Sequence, residues 1–409
     1  MIHRKLAVGF ILVTSLFYSN FAVSEQYKLV ANDGLAEDSF GYSVSIDGTT
    51  ALVGAYKRDE KGVEDSGAAY VYVFSQNGWQ LQDKLIANKP KDHDTLGGNV
   101  ALRGDVAALG VIGRDDIGEN AGAVYIFERN SGIWSQKQVL TAFDGKADDS
   151  FGQSIALTDN FLVIGAPNSN SPHSKTGAAY VYHRIDNSWK FHSKLTANDG
   201  AAGDLFGISV AINKDTLLVG ADLNDEVAEN AGAVYAYVLS NKQWVHQAKL
   251  TASDGANTDI FGVRVALSGD TALISARRDD IERVGVDAGS AYIFERHNGK
   301  WTQKQKLLAP DGNADDRFAR GVALQNNTAI ISAMHHDANG ENTGALYVYT
   351  QSKGQWAFAS KLIAPEGKPQ DRYGWNVSLS GSRAMVAAPH RDDNGNNSGA
   401  VYVLDLKSN

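Results

Sequence analysis

Short apolar runs recur along almost the whole chain, each bounded by clusters of Gly, Asp, Asn and Ser. Aromatic and β-branched residues fill these runs, which predicts strands separated by tight turns. Several runs are apolar on both alternating faces, as in Ala69-Tyr70-Val71-Tyr72-Val73-Phe74. Sheets covered on both sides need that pattern, and sheets packed face to face around an axis supply the cover.

The runs are phased. An aromatic-Gly pair stands at Phe40-Gly41, Phe151-Gly152, Phe206-Gly207, Phe261-Gly262 and Tyr373-Gly374, with variants at Leu96-Gly97 and Phe318-Ala319. The seven marks are spaced 56, 55, 55, 55, 57 and 55 residues apart. Fourteen residues after each mark comes a pair of small residues such as Gly165-Ala166 or Gly220-Ala221, with Gly110-Val111 in the second repeat. A Gly-x-x-Tyr follows, ending at Tyr70, Tyr125, Tyr180, Tyr235 and Tyr347, with Tyr292 and Tyr402 at the same phase. Six repeats then carry a Trp, from Trp79 to Trp356, while Trp375 falls outside that series. Each repeat divides into four runs, exemplified by Gly207–Ile212, Thr216–Ala221, Ala233–Val238 and Trp244–Ala252. Ser268-Gly269 and Ser380-Gly381 suit the first turn of their repeats. Four strands in a repeat of this length predict an all-β chain folded as a seven-bladed β-propeller, with four antiparallel strands per blade.

The last repeat ends at Tyr402-Val403-Leu404 and lacks the Trp-bearing strand. Tyr27-Lys28-Leu29-Val30-Ala31 matches the end of that missing strand. Residues 27–31 are therefore expected to complete the seventh blade, closing the ring by the N-terminal strand without a covalent bond.

Composition narrows the class. The chain has 409 residues, no Cys and a formal charge of −9. Disulfides and thiolate metal sites are excluded, and the negative charge argues against nucleic acid or an anionic membrane surface as partner. His3, Arg4 and Lys5 precede an apolar run from Leu6 to Val13, and Ala22-Val23-Ser24 offers small residues for a signal peptidase. Residues 1–24 thus read as a signal peptide, with a propeller domain over 25–409, no membrane span after cleavage and an exported monomer that is secreted, periplasmic or associated with the cell surface.

The Phe-Gly pairs, Gly165-Ala166-Pro167 and the run Gly203-Asp204-Leu205-Phe206-Gly207-Ile208-Ser209-Val210-Ala211 resemble the FG-GAP repeats of the integrin α-subunit head and of secreted bacterial proteins. The resemblance covers essentially the whole mature chain. It implies a seven-bladed propeller used in adhesion or ligand binding, with calcium in some blade loops. No segment fully matches the Asp-x-Asp-x-Asp-Gly-x-x-Asp pattern of integrin-type calcium loops.

The repeats also sort the candidate residues. A side chain present in every unit reads as scaffold, whereas a ligand site is expected to break the symmetry. Two residues before each mark lies Asp38, Asp94, Asp149, Asp204, Asp259, Asp316 or Asp371. These form either a ring of cation sites or, as the sevenfold recurrence favours, a set of turn caps. The loop between strands two and three emerges on the same face by strand parity. It carries Arg58, Asp59, Arg114, Asp115, Asp116, Asn168, Asn170, His173, Asp225, Asp279, Asp280, His336 and Arg391. That acidic face is the expected ligand face, or else a solvated rim. Asp337, Asn339 and Glu341, with Asp392, Asp393 and Asn394, look most like oxygen-donor loops for calcium. Lys89-Pro90-Lys91-Asp92-His93 and Asn168–His173 are asymmetric neighbours that would frame a polar site.

There is no Gly-x-Ser-x-Gly or His-Glu-x-x-His element, and the adjacent His335 and His336 would point to opposite faces of a strand. The phased Trp residues read as packing between blades. The leading reading is a non-enzymatic, exported propeller that binds an extracellular or periplasmic protein or glycan. The rivals are a polysaccharide lyase or hydrolase with a site over the central channel, and a purely structural scaffold.

Overall fold

A computed structural model describes residues 21–170 and 173–408. Residues 1–20 of the expected leader, and Ser171 and Pro172 of the third-repeat loop, lie outside the described residues. The described residues form seven four-stranded antiparallel sheets, six of them ordered in sequence from the inner to the outer strand and the seventh taking its outer strand from the N-terminus. No described helix is long and apolar enough to cross a membrane.

In the fourth repeat the strands are Ser209–Asn213, Thr216–Ala221, Ala233–Ser240 and Gln243–Leu250. The second strand is buried throughout, because it lies between the faces of two neighbouring blades. Hydrophobic clusters fill the spaces between blades, and each draws residues from two adjacent sheets. One joins Met385, Ala387, Val401 and Val403 of the last blade to Phe40, Val53 and Tyr70 of the first, which closes the ring.

Closure uses the N-terminal strand, Phe21–Leu29, paired with Ala400–Ser408. The paired segment lies slightly nearer the N-terminus than residues 27–31, because Val30 and Ala31 already turn toward the first mark. The Ala31 carbonyl accepts a bond from Gly34 N–H at 3.0 Å. The register shifts between Val23 and Glu25, and Glu25–Leu29 pair in order with Asp405–Val401.

The repeated marks explain themselves in the packing. Phe40, Phe151, Phe206, Phe261 and Phe318 are fully buried. Each meets the Tyr of its own repeat edge-on at 5.3–5.4 Å, as Tyr373 meets Tyr402. The following Gly must be Gly where it has φ of 91–102° and the backbone of the preceding blade passes close by. A Cβ on Gly207 would fall 2.3 Å from the Ala178 carbonyl oxygen.

Candidate functional site

The sevenfold Asp two residues before each mark is a turn cap. In every blade one carboxylate oxygen accepts the backbone N–H three residues earlier, at 2.7–2.9 Å. This bond closes the turn that leads into the inner strand.

The residues expected to line the ligand face turn out to divide into two structural sets. The first pairs with the capping Asp. Arg58 meets Asp38, Arg114 meets Asp94, Asn224 meets Asp204, His336 meets Asp316 and Arg391 meets Asp371, all at 2.8–3.0 Å. Arg114, His336, Arg391 and Asp279 are buried and so do not present a surface. The second set caps the loop itself. Asp59, Asp115, Asn170, Asp225, Asp280, Asp337 and Asp392 each accept a backbone N–H five to seven residues ahead, at 2.6–2.9 Å. The receiving residue is left-handed in all seven loops, with φ of 45–52°. A short carboxylate or amide beside the bend satisfies an amide that the reversed backbone turns inward.

Other expected site residues are similarly occupied. Asp116 accepts bonds from Arg114 and Lys91. His173 shares backbone bonds with the Thr176 hydroxyl. Asn168 donates to the Ser150 hydroxyl at 3.0 Å and, with His93, borders a cavity of about 390 Å³ between the second and third blades. The two asymmetric segments noted in the sequence are thus neighbours in space.

The calcium donors do not converge. Asp393 is held between Lys28 and Arg391, at 2.5 and 2.9 Å. Asn394 donates its amide to the Ala31 carbonyl, Asp337 and Asp392 cap their loops, and Asn339 offers its backbone N–H to Thr343. Glu341 is exposed. Among the described residues no group of three or more His, Asp or Glu side chains is placed to hold a metal ion. The residues present do not fit the calcium that the family resemblance implies, because the carboxylates of Asp337, Asp392 and Asp393 already serve amides and cations and, among the described residues, no third donor group converges with them.

The acids seven residues before the marks belong to a further scaffold. Asp33, Asp144, Asp199, Asp254 and Asp311 each accept the Tyr hydroxyl of the repeat and a Lys ammonium, at 2.7–2.9 Å. Those bonds hold the five carboxyls below their ordinary range against the opposing pull of burial, which is the largest single influence.

The fifth blade departs from the pairing scheme. Asp279 stands where other blades place Arg, Asn, His or Ser, and it accepts bonds from Ser290, Tyr292 and Lys306 instead. Asp259 therefore lacks the polar partner found in five other blades. Burial, with Asp279 adding to it, pushes the Asp259 carboxyl up to about 6. A folded-state value above the ordinary one favours the protonated form, so this group destabilises the fold above pH 6 and the penalty fades as pH falls. Asp259→Asn keeps an acceptor for Ala256 N–H and removes the charge. Its melting temperature is expected to exceed the wild-type value at pH 7.5, with the gap narrowing below pH 6 and closing only near the ordinary carboxyl value of about 4. Identical melts at pH 7.5 would refute this account.

Symmetry breaks at the centre of this face, around the mouth of the channel. Two positions matter in each repeat: the residue after the mark, and the residue after the small pair that ends strand two. They hold Tyr42 and Tyr56 in the first blade, Asp222 in the fourth, Arg277 in the fifth, Arg320 in the sixth and Trp375 in the seventh. Blades two and three offer only Gly98, Ile112, Gln153 and Pro167 at the same places. Tyr42 contacts Tyr56 at 4.2 Å and Trp375 at 5.5 Å between ring centres, and His390 meets Trp375 at 5.5 Å. Arg320 lies over the Trp375 ring at 4.3 Å, and Arg372 approaches it at 5.9 Å. Arg264 lines the channel below, a cavity of about 190 Å³ walled by inner strands.

None of Arg264, Arg277, Arg320 and Arg372 makes an ion pair among the described residues. The Nε atoms of Arg277, Arg320 and Arg372 are buried without a hydrogen-bond partner, as is one oxygen of Asp222. Burial, then the neighbouring guanidiniums, pushes Arg277 down to about 10 and Arg320 well below its ordinary range. Burial likewise raises Asp222 to about 6, against the pull of Arg277 and Arg264. Sequence reasoning missed this cluster. The signal was present in the unlike residues at the two mouth positions, and in Trp375, which stood outside its series.

The fold is a seven-bladed propeller whose repeated polar residues hold turns and whose central mouth carries unlike ones. FG-GAP repeats match at residues 23–72, 79–127, 134–182, 189–237, 244–294, 301–349 and 356–404, and the chain belongs to that family. It is 27% identical to integrin alpha-2 of Mus musculus over 199 residues, which are 43% of this chain and 16% of the integrin. Its propeller is integrin-like, though it aligns with only that small part of the integrin's length. A chain in the crystal structure of the mitotic checkpoint complex shares the fold, with a TM-score of 0.54 and 11% identity over 98% of both chains.

Proposed function

We propose that this chain is an exported, non-catalytic binding propeller that holds an extracellular or periplasmic protein or glycan on its loop face. One observation carries the reading. The polar side chains repeated in every blade serve the fold, whereas the channel mouth on that face gathers rings and cations that the fold does not require. Unlike residues converging from several blades make a recognition surface that no single repeat encodes. The likeness to an integrin α chain supports a role in recognition, and the basic-then-apolar leader supports export.

An array of glycans and extracellular proteins, probed with three forms of the protein, tests the reading. Tyr42→Ser/Trp375→Ser alters the mouth. Lys214→Glu alters an exposed residue on the opposite face, beside a cavity of about 670 Å³. Binding is expected to be lost in the first variant and kept in the second. The reverse pattern, or binding unaffected by either, would sink the proposal.

A further inference from the structure

The mouth holds more positive charge than its surroundings balance. Four guanidiniums, those of Arg264, Arg277, Arg320 and Arg372, gather there with Asp222 as the carboxylate among them. Arg320 and Asp222 are each only 7% exposed, and both carry a buried atom with no partner. Elsewhere on the same face buried Arg114 and Arg391, and half-buried Arg58, are each bonded to a capping Asp. The chain can therefore bond a carboxylate to a buried arginine, whereas at the mouth four guanidiniums share the one carboxylate of Asp222, which among the described residues is ion-paired with none of them. Leaving charges buried and unpaired costs folding free energy, so the arrangement fits a site completed by an anion from outside.

The inner strands show how room was made. In blades one, three and four, Ser43, Ser154 and Ser209 donate to the carbonyl of the next blade's mark, at 2.6–2.8 Å. In blade five that place holds Arg264, and the bond is made from strand two by Ser275, which donates to the Ala319 carbonyl at 2.6 Å. Ser332 does the same in blade six, opposite Gly321, donating to the Gly374 carbonyl at 2.6 Å. Moving the serine keeps the link between blades and frees position 264 for a side chain that lines the channel. Substituting Arg there is thus compatible with the fold, whose stability does not call for it.

We propose that the mouth binds an anionic saccharide residue, carboxylated or sulfated, with its acid group on Arg264, Arg277, Arg320 and Arg372 and its ring against Tyr42, Tyr56 and Trp375. This deepens the binding role above and rests on it. Guanidinium forks match a carboxylate or sulfate with two donors, and the adjoining rings offer a flat apolar wall to the face of a sugar. Blades two and three, uncharged at the mouth positions, leave one side open for the rest of the ligand.

The test is calorimetry at low salt on the purified protein, with trigalacturonate, a sulfated heparin tetrasaccharide, neutral galactotriose and poly-glutamate as probes. At least one acidic saccharide is expected to bind ten-fold or more tightly than galactotriose, and the two acidic probes separate carboxylate from sulfate recognition. Arg320→Met, which keeps apolar packing on Trp375, is expected to weaken that binding at least ten-fold without lowering the melting temperature. A merely structural arginine would lower it. If Arg320→Met does not fold, Arg372→Gln on the half-buried rim carries the same expectation. Equal binding of neutral and acidic sugars, stronger binding of poly-glutamate, or full binding by the arginine variants would overturn the proposal. Loop-face binding of a neutral glycan or a protein that survives these variants would overturn this inference alone and leave the recognition role standing.

Discussion

Deleting Glu25–Ala31 is expected to lower the melting temperature by about 10 °C or more and to make the protein aggregate on heating. The segment does two jobs. It supplies the outer strand of the seventh blade, pairing Glu25–Leu29 with Asp405–Val401. It also seals the seam between the last blade and the first. Leu29 and Ala31 are buried in the cluster that joins them, and Tyr27 packs edge-on against Phe74 at 5.6 Å. Lys28 adds ion pairs to Asp393 and Glu366 on the last blade. Losing these apolar contacts costs on the order of 5 kcal/mol, and the bared strand edge at Ala400–Ser408 becomes a template for self-association. Differential scanning calorimetry with light scattering reads both effects. An unchanged melt without aggregation would show that the ring does not depend on this closure.

Replacing Trp244 by Ala is expected to cost about 3–5 kcal/mol, read as a lower midpoint in chemical denaturation. Trp244 is buried between the third and fourth blades, edge-on to Phe161 at 5.4 Å. Its indole N–H has no partner, so the loss is one of packing. Trp134 and Trp301 differ in donating that N–H to Gln82 and Gln247 of the preceding blade at 2.9 Å. If Trp244→Ala denatures like the wild type yet loses sugar binding, the side chain serves as a ligand platform and the packing assignment fails.

Much of the fold was legible because a repeat reports its own geometry. Seven marks at nearly constant spacing count the blades, and the missing last Trp strand points to the N-terminal segment that replaces it. The capping role of Asp38 and its six equivalents was also legible, since a bond to an amide three residues away is local and recurs wherever the turn recurs. Arg391, expected on a ligand face, and Asp392, expected as a calcium donor, serve the fold instead, for a related reason. Charge in a loop looks solvent-facing in one dimension, but Arg391 reaches Asp371 in the preceding turn, and Asp392 folds back on its own loop.

What the sequence by itself determined is everything that depends on contacts within a repeat or between one repeat and the next: the strands, the turns, the blade count and the interblade core. Only the tertiary structure decided where the unlike side chains of the proposed recognition site meet. Tyr42 and Trp375 come from opposite ends of the chain, and Arg264 and Arg320 from separate repeats. Each is a single departure from its repeat, with no neighbour in sequence to mark it as functional. They become a cluster because closing the ring brings the starts of the inner strands to one axis. There, unlike side chains share a narrow space and their unpaired charges add.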